Sequence, residues 1–165
     1  MTWRTCSTSY DKSTRSMSNA VSYEEYLARY GSLTYTIVGT SMLPLLRQDR
    51  DLITVVPKEG RCRVGDVVLY RRPPTSWALH RVVAVRPEGY LTLGDNCVAR
   101  EHVAEDDAIA VMTGFVRDGR AHAVDELGYR AYTWAIVALE KPRVLAKRIF
   151  LAARRKALEV IRHAR

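Results

Sequence analysis

The chain has 165 residues and carries 26 Lys and Arg against 18 Asp and Glu, a net charge of +8. That length suits one domain with a core of its own, and 47% hydrophobic residues exclude an extended, unfolded polymer. The charge is unevenly placed. Residues 141–165 hold nine Lys and Arg against Glu159 alone, whereas residues 1–140 balance 17 basic against 17 acidic side chains. The expectation is a neutral domain with a basic tail. Cys6, Cys62 and Cys97 are an odd number with no C-x-x-C pair, so neither a disulfide framework nor a zinc site is expected. Reduced thiols point to a cytoplasmic setting, and no cofactor or metal is implied. The N-terminus lacks the apolar run of a secretory signal, and no stretch reaches the ~18 apolar residues that cross a bilayer.

In chain order, residues 1–20 are rich in Ser and Thr, lack periodicity, and read as a mobile polar tail. Residues 21–127 read as a compact, mostly β domain. It opens on a short helix in SYEEYLARYG, with Ser22 as N-cap, Glu24 and Glu25 in the first turn, and Gly31 as C-cap. Strands follow in LTYTIV, DLITVVP, VVLYRR, WALHRVVAV, YLTL and AIAVMTGFV, separated by Gly- and Pro-rich turns. Arg117-Asp118-Gly119 is a hairpin signal between AIAVMTGFV and RAHAV. From about Tyr129 the pattern turns helical, with an interruption at Pro142, so residues 128–165 read as a basic helical C-terminal segment. Short strands without alternating helices argue against a nucleotide-binding α/β fold.

Three fragments carry the chemistry. GTSMLP presents Ser41 at a strand end, with Gly39 allowing a close turn and Pro44 fixing the exit. In WALHRVVAV, alternation places Ala78, His80, Val82 and Ala84 on one face and Arg81 on the other. A histidine on an apolar face is more often structural than catalytic. LTLGDNCVARE sets Gly94, Asp95 and Asn96 at another strand end, with Glu101 six residues after Asp95. Gly-Asp-Asn alone is usually a turn. Met42 and Leu45 suit either a pocket beneath a small substrate residue or ordinary core packing. His102, His122 and His163 stand in polar surroundings and read as surface residues.

In this order and at this spacing, the Ser-Met-x-Pro, Gly-Asp strand and Gly-Asp-Asn boxes over residues 32–102 resemble the S24/S26 superfamily of serine peptidases. The likeness is greatest to type I signal peptidases, and histidine on the base strand is similar to their archaeal and endoplasmic-reticulum type. The resemblance implies a serine endopeptidase that cleaves a leader or signal-like peptide from an extended precursor. It implies Ser41 as nucleophile, His80 as general base, and Glu101 at the place of the family's acid. Asp95 matches the Gly-Asp position that supports the site, and the third member stays open between Glu101 and Asp95. A serine hydroxyl needs an adjacent base, and a neutral histidine can act as one. An ordinary imidazole predicts activity rising through about pH 6–7. The backbone N–H of Ser41 is the simplest oxyanion donor. Many signal peptidases have serine where this chain has Gly39. The alternative is therefore a non-catalytic peptide-binding module on the same fold. A self-cleaving repressor of the same superfamily would need a lysine base and a DNA-binding domain in front, and neither is written here.

Residues 141–165 place Leu145, Ile149, Phe150, Val160 and Ile161 on one side of a helical wheel and most arginines on the other, with Leu151 and Leu158 interrupting the basic side and Lys156 within the apolar arc. This suits packing on the domain or a peripheral hold on an anionic membrane surface at the cytoplasmic face. Nucleic acid is not expected, because no aromatic residues interleave the charges.

Overall fold

The structure, a computed structural model, describes residues 22–163 apart from Thr75. The tail expected over residues 1–20 and the side chain of His163 lie outside the described residues. The fold is mostly β: one eight-stranded antiparallel sheet with a helix at its start and two helices at its end.

Helix α1 (Tyr23–Tyr30) has the caps its sequence calls for. Ser22 Oγ accepts the Glu25 N–H at 3.1 Å, and Gly31 closes it at φ 72°. Its buried Leu27 anchors it to the sheet, where Tyr23 packs on Tyr35 and edge-on to Trp77. The strands are β1 (Leu33–Thr36), β2 (Asp51–Pro57), β3 (Val67–Arg72), β4 (Ser76–Arg86), β5 (Gly89–Leu93), β6 (Glu101–Ala104), β7 (Ala108–Arg117) and β8 (Arg120–Ala123). A 3-10 turn, Glu105–Asp107, links β6 to β7. The sheet order is β1-β2-β7-β3-β4-β5-β6, and β8 pairs with the far half of β7. Asp118 and Gly119 both take positive φ, 50° and 76°, as the tight β7–β8 hairpin requires.

Both faces of the sheet are covered near its middle, which explains why VVLY in β3 is apolar without alternation. Val67 and Leu69 join one cluster with Leu27, Met42, Leu46, Ile53, Val55, Met112 and Phe115. Val68 and Tyr70 join a second with Cys62, Val82, Tyr90, Val103 and Ala108. The expected run of one-sided positions on β4 holds only to Val82. The β4–β5 register shifts between Val82 and Ala84, so a bulge takes Ala84 out of the sequence set by Ala78, His80 and Val82.

Helix α2 (Leu127–Ala138) lies on the sheet, with Tyr129 and Tyr132 against the first cluster. It comes close enough that a Cβ on Gly65 would stand 2.8 Å from Thr133 Cγ2. Helix α3 (Glu140–His163) follows after Leu139. The break falls three residues before Pro142, which occupies the first turn of α3, where its missing N–H costs no intrahelical bond.

Candidate active site

Ser41 stands in the loop between β1 and β2, and that loop is fastened at many points. Gly39 takes φ 97°, a conformation a side chain would strain, and its N–H donates to Gln48 Oε1 at 2.7 Å. Met42, Leu45 and Leu46 are buried, to 0% exposure for Leu46. Met42 and Leu45 are thus core side chains, and burying residues of this size contributes roughly 1.5–3 kcal/mol each. Asp51, fully buried at the start of β2, accepts the Arg47 N–H at 2.8 Å and is clasped by Arg50 and Arg117. Arg117 also donates to the Leu45 carbonyl. Burial alone would raise the Asp51 pKa, but the hydrogen bonds from Arg50 and Arg117 outweigh it and hold the carboxyl well below its usual range.

His80 is 4% exposed on β4, opposite Val68 of β3. The diagonal neighbour on the same face is Tyr70, whose hydroxyl lies 2.9 Å from His80 Nδ1. The same hydroxyl donates to Glu101 Oε2 at 2.7 Å. Glu101 comes into reach because β6 pairs with β5, Glu101 standing opposite Thr92. Arg72 holds its carboxylate through both oxygens, at 3.0 and 2.6 Å, and His80 Nδ1 lies 3.6 Å from Glu101 Oε1.

This chain of contacts fixes a tautomer. A carboxylate ion-paired to Arg72 can only accept, so the single Tyr70 proton points to Glu101. The Tyr70 oxygen then accepts from His80 Nδ1–H, and Nε2 keeps its lone pair. Burial pushes the His80 imidazole down to about 4, and Glu101 only partly opposes the shift. Burial and the adjoining Glu101 carboxylate hold the Tyr70 phenol above its ordinary range. His80 is therefore neutral at pH 7, with the protonation pattern of a general base. The midpoint of pH 6–7 expected from an ordinary histidine moves to about 4.

The Gly94-Asp95-Asn96 turn lies between the Ser41 backbone and the His80 ring, and among the described residues no hydrogen bond links the Ser41 hydroxyl to the imidazole. Asn96 N–H donates to the Ser41 carbonyl at 2.7 Å, and Asn96 Nδ2 to the Thr40 carbonyl at 3.0 Å. Gly94 is bare because nothing larger fits. A Cβ there would lie 2.8 Å from the Ser41 carbonyl oxygen, 2.8 Å from Cys97 Sγ and 3.1 Å from His80 Cδ2. The serine backbone and the imidazole thus flank one glycine. Asp95 faces elsewhere: it pairs through both oxygens with Arg81, at 2.8 Å each, and accepts Tyr132 Oη at 3.0 Å. Both partners are 1% exposed. Arg81 also donates to the Gly65 carbonyl and to Thr133 on α2, and the Asp95 contacts hold its guanidinium above the usual range despite burial. Glu101, not Asp95, is the acid linked to His80.

Tyr70 and Arg72 touch His80 and Glu101 in the candidate site, and the sequence pattern did not single them out. The signal was present, since a hairpin joining VVLYRR to WALHRVV through Pro73-Pro74 sets Tyr70 beside His80 on one face. His102 is exposed, and His122 stacks on Phe115 and meets Glu126 at 3.2 Å. No family model, curated protein or solved structure matches this chain.

Proposed function

We propose that the protein is a serine endopeptidase in which Ser41 attacks and His80 Nε2 takes its proton. The single observation that carries this reading is the Glu101–Tyr70–His80 chain, which leaves a neutral imidazole with its lone pair on Nε2, next to the glycine that also touches the Ser41 backbone. Ser41 Oγ adds to the scissile carbonyl, His80 receives the hydroxyl proton, and the imidazolium returns it to the leaving amine. Water then hydrolyses the acyl-enzyme by the same path. The Ser41 N–H is the proposed oxyanion donor. The substrate is an extended peptide or precursor protein, in keeping with the resemblance to signal peptidases. β1 ends one side of the sheet and runs into the Ser41 loop past Val38, an apolar side chain 81% exposed. An extended peptide aligned on that edge meets Val38 before it reaches Ser41.

The test is covalent labelling by a fluorophosphonate, with the modified residue located by mass spectrometry. Labelling at Ser41 that is lost in Ser41→Ala and falls at least about 100-fold in His80→Ala is the expected result. One observation favours the second reading, a peptide-binding module without catalysis. Gly39 supplies no hydroxyl, and its N–H is engaged by Gln48. A folded protein whose Ser41 resists the reagent, yet which retains a bound peptide, selects that reading.

A further inference from the structure

Among the described residues, the side-chain hydrogen bonds between α3 and the sheet domain come from its first turns. Arg143 donates to the Asp95 carbonyl at 2.5 Å, Lys147 to the Asn96 carbonyl at 2.5 Å, and Arg148 to the Val98 carbonyl at 3.1 Å. Beyond these, every described side chain from Ile149 to Glu159 is exposed, as are Ile161 and Arg162. The helix continues roughly 20 Å past Arg148. That length carries Ile149, Phe150 and Ile161, each between 56% and 64% exposed, on one broad side, with Leu151 and Leu158 set among the arginines. It also carries Arg154, Arg155, Lys156 and Arg162 against Glu159.

We infer that the projecting part of α3 is a docking surface for an anionic lipid bilayer, lying in the headgroup plane. Charge complementarity selects this occupant. A second copy of the same helix would set arginine against arginine. Residues 1–21 hold Arg4, Lys12 and Arg15 against Asp11, so they offer the helix no net opposite charge. A nucleic acid would match the arginines and leave the Ile149, Phe150 and Ile161 side in water. An anionic bilayer meets both requirements, with apolar side chains in the headgroup–acyl boundary and guanidinium groups among phosphates. The helix lies on the surface: no helix among the described residues is long and apolar enough to cross a membrane.

The experiment is co-sedimentation of the full chain with vesicles of phosphatidylcholine alone and of phosphatidylcholine with phosphatidylglycerol. It reads binding only, so its outcome is independent of the peptidase reading. Strong binding to the anionic vesicles and weak binding to the neutral ones is expected. Neutralising Arg154, Arg155 and Arg162 to Gln lowers the partition coefficient about 100-fold, at ~1 kcal/mol for each charge near the surface. Ile149→Asp with Ile161→Asp abolishes binding while the charge-preserving Ile149→Leu retains it. All five positions are exposed, and circular dichroism confirms that each variant folds. Equal binding to both vesicle types, or none at low salt, overturns the proposal. So does self-association through α3 in sedimentation equilibrium, or preferential retention on duplex DNA.

Discussion

Tyr70 stands between a carboxylate and an imidazole, and its one proton decides which nitrogen of His80 can act. Arg72 keeps Glu101 an acceptor, Glu101 takes the Tyr70 proton, and His80 is left with its basic nitrogen turned away from the chain. Burial, not the acid, dominates the imidazole's affinity for protons and lowers it to about 4. In the proposed mechanism the neutral form is the active one. The rate of Ser41 acylation is therefore expected to stay flat from about pH 8 to 5.5 and to fall through a midpoint near 4. Stability follows the same sign. The unfolded chain binds a proton near pH 6.5 that the folded site refuses until about 4, so His80 costs the fold stability as pH drops through that window. A pH profile of fluorophosphonate labelling checks the rate, and a midpoint between 6 and 7 would show a solvated imidazole.

Strands β3 and β4 were legible from composition and alternation, and so were the serine loop and the Gly-Asp-Asn turn. Strand β6 was not. EHVA has four residues and follows the irregular DNCVAR, so no alternating run announces it. Its position depends on pairing with β5, a contact that is local in space but carries no signature in the chain. Consequently Glu101 could be placed near the base only through resemblance, and its tie through Tyr70 could not be read at all. The bulge after Val82 was equally silent, because VVAV has the composition of an uninterrupted strand. The role of Gly94 emerges only when three segments converge on it. Gly94→Ala sets a methyl against the Ser41 carbonyl and the His80 ring. Displacement of backbone is needed to admit it, so labelling of Ser41 falls by at least about 10-fold. A crystal structure of the variant would show the Asn96–Ser41 hydrogen bond lengthened. An unchanged labelling rate would mean that the glycine spaces nothing.

Across the molecule, two acids six residues apart in the chain serve different ends. Asp95, with Arg81, ties the sheet to the Gly65 turn and, through Tyr132 and Thr133, to α2. Breaking a buried pair of this kind leaves an unmatched charge and costs about 3–5 kcal/mol. Asp95→Asn is thus expected to lower Tm on the order of 10 °C. Glu101→Gln, half-exposed and at the sheet's last strand, changes Tm little. It slows labelling about 100-fold, because an amide can donate to the Tyr70 oxygen and reverse the tautomer. Thermal melts and labelling rates on the same two proteins separate the roles, and the opposite pairing of effects would make Asp95 the site's acid.

The charge excess that singled out residues 141–165 is also spent partly inside this architecture. Asn96 holds the carbonyls of Thr40 and Ser41, and Lys147 in turn donates to Asn96 through both its carbonyl and its side-chain oxygen. A ribosome delivers the chain N-terminus first. Ser41, His80 and Glu101 leave it well before Lys147 does, and the turn that spaces them has no cationic brace until α3 has emerged. The nascent chain consequently carries Ser41, His80 and Glu101 for some time before it carries the finished candidate site.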